Sequence, residues 1–379
     1  MMTILATISL LLWLYLSLFH GRFWHSDQIL NIESVNRCPA PSVVCVIPAR
    51  DEAESIAATL RSLLDQDYPG DFSIILVDDN STDGTVAAAR AAFRNNDEAK
   101  RVQVLTGAPL PAGWVGKMWA VSQGIAAAGK VDYLLLTDAD IVHAPGNLSR
   151  LVGKAEADTL GLVSLMVKLR CVSAWERLLI PAFVYFFQKL YPFPRVNDPA
   201  SPVAAAAGGC MLVDWETLQK AGGIKKIRDR VIDDCALAGL IKPLRPIWLG
   251  LSEDTHSSRS YEALMPIWNM VARTAYVQLN HNPLLLAGTL LGMVLLYLIP
   301  PLAVIAGLLG SNWLLALLGG GAWLIIVWTC LPALELYRAN ALWAFSLPFA
   351  GILYALMTLD SARRHYAGKG GAWKGRTYP

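Results

Sequence analysis

Apolar runs at both ends of the chain, with a more polar stretch between them, constrain this sequence more than any other feature. Residues 3–19 form an uncharged run long enough to cross a bilayer, and residues 284–309, 313–334 and 342–359 are three more membrane-like stretches. Of the 379 residues, 54% are hydrophobic and 16% charged, a balance too apolar for an ordinary soluble protein. A cleaved secretory signal would carry a basic segment ahead of its apolar core. None precedes residue 3, and His20-Gly21-Arg22-Phe23-Trp24-His25 follows the run. Aromatics and a cation at that edge indicate a retained anchor with its interfacial end on the cytoplasmic side.

The tail holds Arg363, Arg364, Lys369, Lys374 and Arg376, which the positive-inside rule places in the cytoplasm. One crossing before the central region and three after it would put that tail on the opposite face. The tail charge outweighs the segment count, so one segment is expected to be re-entrant or interfacial. The candidates are 342–359, which contains Pro348 and Gly351, and 284–309, which contains Pro300 and Pro301. Residues 1–25 therefore read as an anchor, 40–280 as a cytoplasmic domain with interfacial helices, and 281–379 as a membrane region with a basic tail. A net charge of +2 gives no basic face for nucleic acid. Six cysteines without a C-x-x-C pair fit free thiols in a reducing compartment, which matches an inner-membrane protein whose domain faces the cytoplasm.

From about residue 43 to 251 the pattern alternates strand and helix. Val43-Val44-Cys45-Val46-Ile47, Ile74-Ile75-Leu76-Val77, Val102–Leu105 and Tyr133–Thr137 read as buried strands. Residues 52–64 and 85–93 carry helical spacing between them. Alternation of this kind predicts right-handed βαβ units and a mainly parallel, Rossmann-like sheet, whose ligands gather beyond the carboxyl ends of the strands. Residues 175–193 read either as an interfacial helix lining a lipid entrance or as a buried core helix.

Polar clusters sit at three of the predicted strand ends. Pro48-Ala49-Arg50-Asp51-Glu52 follows the first, where acids in a first helical turn are also ordinary capping chemistry. Asp78-Asp79-Asn80-Ser81-Thr82-Asp83 follows the second. Adjacent carboxylates at a strand end need partners, and a uracil imide or ribose hydroxyls would supply them. Asp138-Ala139-Asp140 follows the fourth, and its spacing can aim two hard oxygen donors at one Mg²⁺ or Mn²⁺ bridging to diphosphate. Lys117, after Gly116 and before a helical run, can meet phosphate or a sugar hydroxyl, or can be a lone surface lysine; the G-x-x-x-x-G-K-[ST] spacing is absent. Gly208-Gly209 permits close backbone approach or simply makes a turn. In Asp233-Asp234, like charges side by side raise one pKa and favour proton acceptance from a hydroxyl, against a reading as helix capping.

Taken in order, PARDE, VDDNSTDGT, GWVGKMWA, DAD, GGCM and IDD resemble the family 2 glycosyltransferases of the GT-A type, from Val43 to about Gln278. Ser164-Leu165-Met166, Trp175–Pro181 and Ile232–Leu237 resemble its hopanoid-associated subgroup. The tail with Trp373-Lys374-Gly375-Arg376 is similar to that subgroup and to ceramide-type glucosyltransferases. The resemblance implies a GT-A domain between N- and C-terminal transmembrane helices, and a hexosyltransferase. A nucleotide-sugar donor, a divalent metal and a lipid acceptor, a hopanoid in that subgroup, are implied with it. It implies that Pro48, Arg50 and Glu52 lie beside the nucleotide, that Asp79 contacts the base, and that Asp138 lies near ribose or diphosphate. Asp140 would hold the metal and Asp234 would be the general base beside Asp233. Direct displacement would invert the anomeric centre without a covalent nucleophile.

The chain also departs from the family. Asp51 stands where many relatives have asparagine, and Asp233 where glutamate is usual. Q-x-x-R-W is not present as such, though Trp268 and Arg273 occupy a comparable region and Arg273 could bind diphosphate. That absence argues for transfer of a single sugar. Two other readings remain: a non-catalytic membrane scaffold, against which the intact acids Asp79, Asp138, Asp140 and Asp234 argue, and a nucleotidyltransferase, against which the lack of a glycine-rich basic loop after the first strand argues.

Overall fold

The structure, a computed structural model, describes residues 1–30 and 40–370. Trp373, Lys374 and Arg376 lie outside the described residues. The central sheet has eight strands: β1 Val43–Ala49, β2 Phe72–Asp78, β3 Val102–Thr106, β4 Tyr133–Thr137, β5 Ile141–Val142, β6 Leu162–Lys168, β7 Cys210–Asp214 and β8 Ile247–Ser257. Their spatial order is β3-β2-β1-β4-β7-β6-β8-β5. Four pairings are parallel (β1 with β2 and β4, β2 with β3, β6 with β8), and three, made by β7 and β5, are antiparallel.

This order positions the site. Chain order runs outward from β1 through β2 to β3, then returns to place β4 on the other side of β1. The crevice beyond β1 and β4 is therefore a topological switch point, where α/β sheets bind ligands. The predicted polar clusters follow β2, β1 and β4, three neighbouring strands. Because β7 runs antiparallel to β4, with Thr137 opposite Cys210, the Gly208-Gly209 pair enters the same crevice. The antiparallel pairing of β5 with β8 sets Ile141 opposite Ser257 and brings residues 257–260 to it as well.

Alternation along each strand builds a core on both faces. Val44, Val46, Val77, Leu134 and Leu136 pack with Met118 and Val121 of α4 (Gly116–Ala128). Cys45, Ile47, Ile74, Leu76 and Leu135 pack with Ile56, Leu60 and Leu63 of α2 (Ile56–Leu64). Residues 52–55, expected to be helical, form a turn instead, and α3 spans Thr85–Ala91. Asp51 and Asn80 both take left-handed backbone, with φ of 51° and 55°. The two strand exits are cross-linked there: Asp51 N–H donates to Ser81 Oγ (2.9 Å) and Thr82 N–H to Asp51 Oδ1 (2.8 Å).

The stretch 175–193 contains helix α5 (Ala174–Leu190), which opens with a capping box between Ser173 and Glu176. The Glu176 side chain is fully buried. It accepts from the N–H groups of Val172 (2.9 Å), Ser173 (2.8 Å) and Tyr261 (2.9 Å) and pairs with Arg170 at 3.1 Å. One carboxylate thus ties the exit of β6 and the start of α5 to the loop after β8. Burial opposes its charge, but the three donated N–H groups dominate and leave its pKa lowered.

Among the described residues four helical segments are long and apolar enough to cross a membrane: α1 (Met2–Phe19), Pro283–Leu309, Trp313–Leu336 and Ala341–Tyr366. α1 packs on the second and third. Inside the second, Val294–Leu298 forms a single π-helical turn, and the Trp13 indole N–H donates to the Leu296 carbonyl at 2.8 Å. The domain-side ends of these helices are fixed by hydrogen bonds: Arg195 donates to the Phe19 carbonyl (3.1 Å) and Leu169 N–H to the Tyr337 hydroxyl (3.3 Å). The last segment starts just after Tyr337. Midway, the Tyr354 hydroxyl donates to the Leu179 carbonyl of α5 at 2.8 Å. Its end lies on α7 (Leu264–Gln278; α6 being Asp233–Ile241), where Trp268 donates to Asp360 at 2.8 Å and Arg364 to Asn269 at 2.9 Å. This segment, which contains Pro348 and Gly351, is thus bonded to α5 at its middle and to α7 at its end.

Glu176→Ala leaves three N–H groups without their acceptor and Arg170 with only Ser260 and Glu262 as partners. About 3 kcal/mol of stability should be lost, at ~1–3 kcal/mol per orphaned group with partial rescue by solvent. A thermal melt of the detergent-solubilised chain, read against Glu176→Gln with its smaller loss, checks it. The lowered pKa means that this stability is present at neutral pH and disappears as pH falls through the folded-state value.

Candidate active site

A cavity of about 740 Å³ occupies the crevice beyond β1 and β4 and extends to α7 and the end of the last helix. Its lining includes Pro48, Glu52, Lys117, Asp138, Asp140, Asp233, Arg259, Tyr261 and Arg273. Six of the residues expected from sequence thus come together with Arg273. Asp234 joins them through its neighbours: its Oδ2 accepts from the Gly208 N–H at 2.9 Å, and a Cβ built on Gly208 would stand 3.4 Å from that oxygen and 3.5 Å from Lys117 Nζ. Those are ordinary contact distances, whereas a Cβ on Gly209 would stand 2.9 Å from Val167 Cγ2, so the second glycine is the one whose close approach excludes a side chain.

The acids are held by two cations. Lys117, 18% exposed, lies 2.9 Å from Asp138 Oδ1 and 3.2 Å from Asp233 Oδ2. The alternative of a lone surface lysine is therefore excluded. Burial would lower its pKa, but Asp138 and Asp233 outweigh burial and leave it raised. Arg259 lies 2.8 Å from Asp140 Oδ2 and 2.9 Å from Glu52 Oε1, and Ser257 Oγ donates to the same Asp140 oxygen at 3.0 Å. The pKa of Arg259 is likewise raised by Asp140 and Glu52 against the effect of burial. Asp234 behaves differently: burial first, and Asp233 second, push it up to about 6, with Lys117 opposing. A carboxylate whose pKa is tuned toward neutrality suits the role of a general base.

Asp79 and Arg50 sit one strand further along. Asp79, 1% exposed at the end of β2, lies 3.8 Å from Arg50 through its Oδ2, and Arg50 donates to its backbone carbonyl. Neither residue lines the 740 Å³ cavity. They flank it from the β2 side, next to Pro48 and Glu52. Behind Asp138, Thr137 Oγ1 donates to the Gly209 carbonyl (2.7 Å) and bonds His143 Nε2 (3.0 Å), which locks the strand end that aims the two acids. Burial lowers the His143 pKa to about 3, so this ring is neutral and structural.

The donor chemistry accommodates a divalent cation. Asp138 and Asp140 are hard oxygen donors of the type and number that Mg²⁺ or Mn²⁺ takes from a protein. Among the described residues no group of three or more His, Cys, Asp or Glu converges on one point. The remaining ligands would be diphosphate oxygens and water. Sequence reasoning missed Arg259 and Tyr261. The available signal was the polar run Ser257-Ser258-Arg259-Ser260 after an apolar stretch, which marks one more strand end at the same rim.

Comparison with known proteins places this geometry. Residues 44–220 match the family described as Glycosyl transferase family 2. The chain is 32% identical over 124 residues to an N-acetylglucosaminyltransferase of Rhizobium leguminosarum bv. viciae, covering 32% of this chain and 27% of that protein. It is 34% identical over 134 residues to an N-acetylglucosaminyltransferase of Rhizobium meliloti (strain 1021), covering 35% and 29%. The chain thus spans less than a third of the length of these relatives. A mannosyltransferase from Pyrobaculum calidifontis, solved in complex with GDP-Man and Mn²⁺, superposes over 95% of this chain and 99% of its own, with a TM-score of 0.59 at 18% identity.

Arg259→Gln removes the cation shared by Asp140 and Glu52. The variant should melt lower than the parent, and added Mn²⁺ should raise its melting temperature more than the parent's, because a divalent ion supplies the missing positive charge. Equal Mn²⁺ shifts in the two proteins would contradict the pairing. The α/β domain thus has a GT-A-like fold, and its residues 44–220 are similar to Glycosyl transferase family 2.

Proposed function

We propose that the chain is a membrane-bound, inverting glycosyltransferase that moves one sugar from a nucleotide-sugar donor to the hydroxyl of a lipid acceptor. The observation that carries this reading is the meeting of Asp138, Asp140 and Asp233 at one cavity, with the half-buried Asp234, whose pKa is raised to about 6, next to Asp233. Pro48 and Glu52, which line the cavity, would lie beside the nucleotide, with Arg50 and Asp79 flanking them and Asp79 receiving the base. Asp138 and Asp140 would hold a divalent cation, which, when bound, offsets charge on the departing diphosphate. Lys117 and Arg273 carry positive charge toward the same group.

Asp234 takes the proton of the acceptor hydroxyl as that oxygen attacks the anomeric carbon. The nucleoside diphosphate leaves from the opposite face. Asp233, 3.2 Å from Lys117, raises the basicity of its neighbour Asp234. The acid pair serves one displacement, so no covalent sugar intermediate is needed.

The membrane segments argue for a lipid acceptor, because the helices that wall the cavity, α7 and the end of the last segment, are continuous with the apolar ones. On this reading α1, Pro283–Leu309 and Trp313–Leu336 cross the bilayer, while Ala341–Tyr366 is re-entrant. Domain and basic tail then share the cytoplasmic face of the inner membrane. A hopanoid acceptor rests on the sequence resemblance alone, and lipid profiles of a deletion strain test it.

With Mn²⁺ present, the purified chain should release a nucleoside diphosphate from a sugar nucleotide in an acceptor-dependent way. Asp140→Ala and Asp234→Asn should each lose about 100-fold or more in kcat. Full activity in Asp234→Asn ends the base assignment, and release of pyrophosphate instead favours nucleotidyl transfer. The pH profile should fall on the acid side with a limb near 6, where Asp234 becomes protonated and can no longer accept. Asp233→Asn should move that limb to lower pH, because the neighbouring negative charge is gone. A protease site placed after residue 370 should be cut only from the face that exposes the α/β domain.

A further inference from the structure

Of the cations that line the cavity, Arg230 lies 3.8 Å from Asp229, and the other five divide into two groups. Lys117 and Arg259 are spent on acids that share the lining: Asp138 and Asp233 for the lysine, Asp140 and Glu52 for the arginine. The other wall, formed by α7 and the end of the last helix, contributes Arg273, Arg364 and Lys369. The acids of the lining are those four alone, and none of them pairs with these three cations. Among the described residues no ion pair is recorded for Arg273 or Lys369. The wall therefore faces the cavity with excess positive charge.

Backbone geometry puts Lys369 there. The last helix ends at Tyr366, and Gly368 takes φ of 67°. Lys369 N–H donates to the Arg364 carbonyl (2.8 Å) and Gly368 N–H to the His365 carbonyl (2.9 Å), the paired bonds of a Schellman turn. The turn folds the chain back on itself, so Lys369 lines the cavity rather than extending away. Cations in a last helical turn ordinarily just complement the helix dipole. Here Arg364 instead reaches across to Asn269 of α7 at 2.9 Å while held by Asp360 at 2.7 Å, which fixes its guanidinium plane against the wall.

We propose that the end of the last helix is part of the ligand site: Arg364 and Lys369, beside Arg273, form a cationic subsite for a phosphoryl group. This rests on the glycosyltransferase reading. The phosphoryl group has two possible sources in that reaction, the donor's diphosphate and a phosphate in the head of the acceptor lipid. Either way, the basic end of the chain takes part in substrate binding as well as in topology.

The test uses the full chain in detergent and two probes: a nucleoside diphosphate (UDP and GDP in parallel) with Mn²⁺ by calorimetry, and phosphatidylcholine vesicles doped with a long-chain alkyl phosphate by flotation. Lys369→Gln removes charge without touching the Arg364 bridge, and Arg364→Gln/Lys369→Gln removes both charges. If the subsite serves the donor, nucleotide affinity falls about tenfold in the double variant and its salt dependence flattens, with vesicle binding unchanged. If it serves the acceptor, nucleotide affinity holds and binding to the doped vesicles drops by a similar factor. Lys369→Arg should restore either one. A parent that binds while both variants bind equally well, with melting temperatures intact, overturns the subsite and leaves the glycosyltransferase reading standing. A parent that binds neither probe overturns both.

Discussion

Charge neutralisation at one rim of the sheet governs this structure. Glu52, Asp138, Asp140, Asp233 and Asp234 arrive from the exits of β1 and β4 and from α6, and such a concentration of carboxylates repels itself unless cations intervene. Lys117, from the first turn of α4, and Arg259, from the loop after β8, bridge two acids each. Each bridge joins segments far apart in the chain. The charges that could handle a diphosphate are therefore the same ones that fix the loops around it. Burial first, and Asp233 second, raise the pKa of Asp234 against the Gly208 and Cys235 N–H groups it accepts from, and burial raises Asp138 as well.

The membrane region is built into the domain rather than tethered to it. α5 lies under the sheet on one side and touches the apolar helices on the other: the Tyr185 hydroxyl bonds Thr329 at 2.9 Å, and Lys189 donates to the Tyr297 hydroxyl at 2.6 Å. Glu176, at its start, reaches through the Tyr261 N–H to the loop that carries Arg259. A path of direct contacts thus runs from the apolar helices through α5 to the cation on Asp140. The last segment adds a second path through α7 to the cavity wall.

Much of this was legible in the sequence, and the parts that were not share a physical cause. Continuous apolar runs such as Val43–Ile47 and Tyr133–Thr137 marked the buried strands, because only a strand covered on both faces reads that way. The polar clusters after them marked the rim, since charge cannot sit inside such a run. The tail cations led to the expectation of one re-entrant or interfacial segment, and Ala341–Tyr366, which holds one of the two candidates, bonds α5 and α7. The antiparallel entry of β7 was not readable, because it depends on which neighbour a strand selects. Nor was the role of Arg259, which comes from β8 pairing with β5 and β6 far from the acids it neutralises. Residues 52–55 read as the start of a helix from the apolar spacing of 52–64, yet the Glu52 and Ala53 N–H groups are taken by Thr85 and Asp83, which holds them in a turn. Lys117 was ambiguous because one lysine after a glycine carries no information about what faces it.

The π-helical turn at Val294–Leu298 bears on what α1 is for. A π turn leaves a carbonyl outside the regular ladder, and within an apolar slab no water is at hand to solvate it. The Trp13 indole fills that vacancy for Leu296, and the ring also lies edge-on to Tyr297 at 5.4 Å. Trimming the chain at residue 20 to obtain a more tractable fragment would strip a donor from mid-bilayer backbone and open a groove along the hairpin of the next two helices. A shortened product of that kind would be an incomplete fold, unsuited to standing in for the whole in any biochemical preparation.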